Sequence, residues 1–223
     1  MSQPLLCPTF HTDTQTERDA NNIWKDHATN DFLKNTPLDP SSRIIGMPGK
    51  WGPELRFARE QGVLRERFHP IEHVGEIREF LKRQGYAVLP PDRSELLEAI
   101  PYLNEEIIHD GFDEIYLDLQ CLLTPKYADL IGYIVGTHKR ESMIKAGGTL
   151  IVTTGPSQKI NREALEFNRR ALERHPEWPS YLPPTRPIIE DMLREHGRSY
   201  KNADHRSYKN SIHVHYLVTV IRF

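Results

Sequence analysis

Phe112-Asp113-Glu114-Ile115-Tyr116-Leu117-Asp118 is the run that most narrows the folds open to this chain. Gly111 precedes it, Phe112, Ile115, Tyr116 and Leu117 supply its apolar body, and an acid ends it. A short apolar run bounded by turn signals reads as a strand buried on both faces, the kind found in parallel sheets covered by helices. In open sheets of that type, ligands bind beyond the carboxyl ends of the strands, where strand order reverses. Asp118 is therefore the first candidate site residue.

The rest of the chain alternates in the same manner. Residues 43–45 form a short strand, followed by the turn Gly46-Met47-Pro48-Gly49-Lys50-Trp51-Gly52. Pro53 sits where a first helical turn favours proline, and a helix is expected to run on to Gln61. Residues 68–71 make a second strand ending at Glu72, residues 75–84 a helix capped by Gly85, and residues 86–89 a third strand stopped by Pro90-Pro91-Asp92. Residues 94–109 have helical spacing with a break expected at Pro101, and the run ending at Asp118 is the fourth strand. A long helix is expected over 127–145, with Gly147-Gly148 as its terminator, then a fifth strand over 149–154. Helices follow over 161–175 and near 188–196. Residues 211–223 are apolar and β-branched, the composition of a closing strand. That strand comes too soon after another extended stretch for a parallel crossover, so the last two strands should be antiparallel neighbours.

These elements predict an α/β fold: a three-layer, doubly wound, mostly parallel seven-stranded sheet with a C-terminal antiparallel β-hairpin. The domain is expected to cover 43–223. Residues 1–42 read as an N-terminal extension, in which Ile23, Trp24, Ala28, Phe32 and Leu33 space like one helix face ahead of Pro37 and Pro40.

With 223 residues the chain can bury a full core without disulfides or metal. A net charge of -2 and a pI near 6.6 provide no global basic field, so nucleic-acid contact would need a local patch. Cys7 and Cys121 are far apart and have no metal-ligand spacing, which points to a reduced intracellular protein. The first residues do not read as a signal peptide, and no apolar run approaches the length of a membrane span. A soluble, cytoplasmic protein with no membrane partner is expected.

The order of these features resembles the class I S-adenosylmethionine-dependent methyltransferases. That family has a glycine-bearing turn after strand one, acids at the ends of strands two, three and four, a Gly-Gly turn before strand five and a closing hairpin. Here those places are taken by Gly46 to Gly52, Glu72, Asp92, Asp118, Gly147-Gly148 and residues 199–223. The resemblance implies S-adenosylmethionine as cofactor, held by Gly46, Met47, Pro48, Gly49, Gly52, Glu72 and Asp92. Asp92 would reach the adenine amino group, while Asp118 and Gln120 would border the methyl donor and receive the acceptor. Residue chemistry agrees at two points. A backbone approaching a cofactor closely needs residues without side chains, which Gly46, Gly49 and Gly52 supply. Glu72 follows Gly52 by about 20 residues, the offset at which an acid reaches a ribose diol in nucleotide-binding βαβ units.

The turn departs from the family pattern in carrying no acid, since the next one, Glu54, already belongs to the helix. Two other readings therefore stay open: a methyltransferase-like scaffold without activity, and a nicotinamide-nucleotide oxidoreductase using the same turn and Glu72. The residues after strand four are neither an Asx-Pro-Pro-aromatic motif nor a Pro-Cys motif, which argues against nucleic-acid base methylation and for a small-molecule or protein acceptor.

Other motifs carry less. Arg198-Ser199-Tyr200-Lys201-Asn202 recurs as Arg206-Ser207-Tyr208-Lys209-Asn210, an interleaving of basic and aromatic residues that suits phosphate contact with base stacking. Total charge does not support a nucleic-acid partner there, and a solvated hairpin edge explains the pattern equally. His213 and His215 share a strand face but have no third ligand in view, so no metal site is assigned. No His-Asp arrangement around Cys121 is legible that would make it a nucleophile. Trp51, inside the glycine turn, is the tryptophan placed to line a pocket.

Overall fold

The computed structural model describes residues 37–48, 53–93, 95–107, 110–119, 121–137, 141–155, 161–209 and 215–223. The chain forms two compact units, one reaching Ile108 and the other running from His109 to Phe223.

In the first unit, β1 (Ile44–Gly46) and β2 (Phe68–Pro70) pair in parallel, with Ile44 opposite Phe68 and Gly46 opposite Pro70. Helix α1 (Pro53–Glu60) lies between them in sequence, and α2 (Gly75–Arg83) follows β2. Their inward faces, Leu55 and Ala58 on α1, Ile77 and Leu81 on α2, close over Ile44, Val63, Phe68 and Tyr86 as one apolar cluster. Phe68 and Tyr86 meet edge to face, with centroids 6.0 Å apart and planes at 77°, the arrangement the ring quadrupoles favour.

Residues 86–89 do not form the expected third strand. Two of their four donors are taken locally: Tyr86 N–H bonds to Leu81 O at 3.2 Å and Val88 N–H to Tyr86 O at 2.9 Å. Pro90 and Pro91 then offer no N–H at all, so no ladder can be carried forward. Pro101 does not end its helix either. It lies inside α3 (Leu96–Tyr102), which continues as a π-helical turn, Leu103–Ile107. A wider turn relieves the proline's missing donor and ring clash.

The second unit opens with β3 (Phe112–Asp118), the run singled out from sequence, with Phe112, Ile115 and Leu117 fully buried. It continues through α4 (Pro125–Val135), β4 (Ile144–Thr154), α5 (Arg162–Arg174), α6 (Thr185–Glu195), β5 (Asn202–Lys209) and β6 (His215–Arg222). β3 and β4 pair in parallel, with Glu114 opposite Thr149 and Asp118 opposite Thr153. β6 is antiparallel to both β4 and β5 and so lies between them, which confirms the expected hairpin. The central position explains its apolar composition: Leu217, Val218, Val220 and Ile221 are all buried. The described residues thus hold six strands, not seven, in an α/β arrangement with parallel pairing early and an antiparallel end.

The long helix expected over 127–145 stops at Val135. Thr124 caps its start, its Oγ1 accepting from Tyr127 N–H at 3.2 Å, and Pro125 takes the first turn. Gly136, in the left-handed conformation at φ 75°, ends it. Gly147-Gly148 is not a helix terminator but lies inside β4. Gly147 N–H donates to Phe223 O at 2.9 Å and Phe223 N–H to Gly148 O at 3.0 Å, pinning the chain's last residue to the strand. Gly147 has φ 85°, and a Cβ on Gly148 would stand 3.0 Å from Asp113 O. The glycine pair is a bulge, where the β3–β4 register shifts.

Candidate functional site

Of the sequence-derived site residues, Gly46 and Asp118 end strands, one in each unit, and Glu72 lies two residues past β2. In the first, Gly46 is the last residue of β1, Met47 is half-buried and Pro48 is buried. Gly49 and Gly52, with Lys50 and Trp51, lie outside the described residues. Past β2, Ile71 N–H donates to Gly46 O at 2.9 Å, which continues the pairing and brings the chain to Glu72.

Glu72 is buried, at 5% exposure, rather than a surface carboxylate. Its Oε1 accepts from Val74 N–H at 2.8 Å and stands 3.6 Å from His73 Nδ1. This short loop turns over its own acid just before α2. A carboxylate has about four acceptor positions, so one backbone bond orients the group without exhausting it. That fits what an acid holding a ribose diol requires: a fixed orientation with acceptor capacity left over.

Asp92 differs. It sits in a short 3-10 turn, Pro91–Arg93, with its side chain 76% exposed and Arg93 Nε 3.9 Å away. Its geometry is that of a surface turn acid.

Two ionisable groups near these loops are buried without having been assigned to the site. Glu54, in the first turn of α1, is 2% exposed. His69, in β2, has its pKa pushed down to about 4 by burial, with Arg43 and Arg67 adding to the effect, so it is neutral at pH 7. The sequence signal for both was their place beside apolar residues that face inward.

In the second unit Asp118 closes β3 at 8% exposure. Leu119 N–H donates to Thr153 O at 3.0 Å, and Gly155 N–H to Cys121 O at 3.2 Å, so the loop after Asp118 is tied to the end of β4 on both sides. Gln120 lies outside the described residues. The Cys121 thiol is pushed up by burial and then by the Asp118 carboxylate, the opposite of what a nucleophilic thiolate needs.

Farther on, Leu123 O accepts from Asn168 Nδ2 at 2.7 Å, linking this loop to α5. Beside that bond, α5 and residues 180–184 border a cleft of about 430 Å³. It was missed from sequence. Asn168 was legible as an exception, a polar residue on the same inward stripe as Ala164 and Ala171.

The two copies of the Arg-Ser-Tyr-Lys-Asn segment are not structural equivalents. The first leads into β5 at its Asn202, and its Arg198 and Tyr200 side chains are engaged within the unit: Tyr200 Oη donates to Glu190 Oε1 at 3.0 Å, and Arg198 donates to the Gly136 carbonyl. The second lies mostly in β5 itself, and Asn210 lies outside the described residues. His205 is engaged as well. It packs on Trp178 at 4.7 Å between centroids, and since arginine can only donate, its Nδ1 accepts from Arg186 Nη1 at 3.1 Å. Burial, then Arg186, push its pKa down. His213 lies outside the described residues. Among the described residues no helix is long and apolar enough to cross a membrane.

No protein-family model matches the sequence, and none of the curated proteins compared with it is similar. Solved structures are similar in fold. A candidate sarcosine dimethylglycine methyltransferase from Galdieria sulphuraria matches with a TM-score of 0.53 at 10% identity, over 92% of this chain and 87% of that one. A geranyl diphosphate methyltransferase solved with S-adenosylmethionine matches with a TM-score of 0.52 at 10% identity, over 96% and 92%. The complex of a Haloferax volcanii methyltransferase activator with a candidate methyltransferase matches with a TM-score of 0.51 at 13% identity, over 92% and 96%. At such identities the likeness is one of fold: the chain has the fold of the class I methyltransferases.

Proposed function

We propose that the protein is an S-adenosylmethionine-dependent methyltransferase acting on a small-molecule or protein acceptor. The observation that carries this reading is Glu72: a buried carboxylate at the end of β2, oriented by Val74 N–H, in a chain with the methyltransferase fold. The cofactor supplies an already activated methyl group, so the protein's part is positioning. Glu72 accepts from the ribose hydroxyls. Gly46, Met47, Pro48, Gly49 and Gly52 are the residues given to holding the cofactor, and Asp92, exposed in its 3-10 turn, reaches for the adenine amino group. Asp118 and Gln120 hold the acceptor, and where that acceptor is a hydroxyl or amine, Asp118 takes its proton.

One observation favours the second reading, a methyltransferase-like scaffold without activity. Gly46 ends β1 with its open side filled by Phe68, so this glycine has a packing reason to exist apart from any cofactor. Calorimetry separates the two. Adenosylmethionine and adenosylhomocysteine should bind and NAD should not. Glu72→Gln, which keeps the shape and loses the charge, should weaken binding roughly 10- to 100-fold, the worth of a charge-assisted bond. Binding of neither adenosyl compound would leave the scaffold reading standing; binding of NAD alone would replace both with an oxidoreductase.

A further inference from the structure

Arginines are placed differently in the two units. In the second, Arg169, Arg170, Arg174, Arg186 and Arg194 each lie against a carboxylate. In the first, two arginines stand side by side at the amino end of the parallel pair. Leu64 N–H donates to Pro40 O at 3.4 Å ahead of the strands, and Ile44 lies opposite Phe68 within them. Both contacts join residues at the same offset along the chain, which sets Arg43 beside Arg67 between them. Paired strands run ~4.8 Å apart, so two guanidiniums at that point can close on one small group. Both side chains are half-buried, and both act on the imidazole of His69 in β2, which gathers the two charges around one spot.

The acid on the neighbouring loop is otherwise engaged. Asp39 Oδ1 accepts from Ser41 N–H and Ser41 Oγ at 2.8 Å and from Ser42 Oγ at 3.2 Å. Arg67 pairs with no carboxylate among the described residues. Like charges held side by side on neighbouring strands repel, and an anion between them turns that cost into attraction. The planar fork of arginine matches the oxygens of a phosphate, to which it can give two parallel hydrogen bonds. This is the end of β1 and β2 away from Gly46 and Glu72, so it is separate from the proposed cofactor site. We propose that Arg43 and Arg67 form a binding site for a small oxyanion, either inorganic phosphate or the phosphoryl group of a small molecule.

The test is binding by the full chain, so it stands whether or not the protein transfers methyl groups. Calorimetry near neutral pH, against chloride at equal ionic strength, should show saturable binding of inorganic phosphate with a Kd of ~1 mM or tighter. Methyl phosphate separates the two sources: binding as tight as that of phosphate assigns the site to a phosphoryl group, and weaker binding assigns it to the free ion. Arg43→Gln and Arg67→Gln should each weaken phosphate binding roughly tenfold or more, the worth of a hydrogen bond to a charged group. Arg59→Gln, at an exposed position whose charge acts on Tyr86 and not on His69, should leave it unchanged. A measurement on the wild type guards against variants that fail to fold. Sulfate, a tetrahedral oxyanion that keeps its two charges in acid, should raise the His69 pKa from about 4, followed by nuclear magnetic resonance of the imidazole, while chloride at equal ionic strength should not. No saturable phosphate binding by ~10 mM, an equal loss in Arg59→Gln, or a His69 pKa that sulfate leaves in place would overturn the proposal.

Discussion

The ring of Phe68 occupies the space that a side chain at position 46 would need: a Cβ on Gly46 would stand 2.6 Å from Phe68 Cζ and 3.1 Å from Cε1. Phe68 cannot swing away cheaply, because it is 1% exposed and lies edge-on to Tyr86. Gly46→Ala should therefore destabilise the protein by ~1–3 kcal/mol, as overpacking of a filled core does. A denaturant titration reads this as a lower midpoint at unchanged slope. A midpoint equal to the wild type's would mean that the ring yields, and that the glycine is required by something other than packing.

The second expectation concerns Asp118. It closes β3 opposite Thr153, and its flanking loop is tied to β4 by backbone bonds. Asp118→Asn should leave the circular dichroism spectrum and adenosylmethionine affinity unchanged while lowering turnover by roughly 10²- to 10⁴-fold, the usual worth of a positioned proton acceptor. Full turnover in the variant, measured with labelled cofactor over an acceptor panel, would remove Asp118 from the role proposed for it.

His175 provides a third, independent of function. Its Nε2 lies 2.8 Å from Asp191 Oδ2 and its Nδ1 3.2 Å from Glu177 Oε1, tying the end of α5 to α6. The Asp191 bond raises its pKa, burial opposes, and Glu177 adds to the rise. A histidine whose folded pKa lies above its unfolded value of about 6.5 contributes stability that is complete below that value. The contribution is lost as pH rises through the folded pKa. The melting-temperature gap between wild type and His175→Ala should therefore be widest below the unfolded value of about 6.5 and narrow as pH rises through the raised folded value. A gap that stays constant, or grows with pH, would show that the ring does not carry the charge in this contact.

Where local pattern and tertiary structure agreed, the reason is that one element could satisfy its own demands. The run from Phe112 to Asp118 is apolar on both faces, and only a buried strand accepts that. The extended composition of the last strand matched its burial between β4 and β5. The errors lie where two assignments compete for the same residues. Residues 86–89 have strand composition, yet the Tyr86 and Val88 donors go to the Leu81 and Tyr86 carbonyls and not to a ladder. Gly147-Gly148 has the form of a helix stop, and became a strand bulge because Phe223 bonds to both glycines from the far end of the chain.

The same division runs through the candidate site. The sequence by itself determined which positions carry acids at strand ends, because an apolar run stopped by a carboxylate is a one-dimensional pattern; Glu72 and Asp118 were legible in that way. Tertiary structure alone decided what those acids experience. Glu72 is buried and oriented by Val74, whereas the Asp92 side chain is exposed in its turn. It also decided that Gly46 makes room for a ring and that Asn168 keeps a buried acceptor beside a cleft. Burial and hydrogen-bond completion are properties of neighbours brought from elsewhere in the chain, and no spacing rule encodes who those neighbours will be.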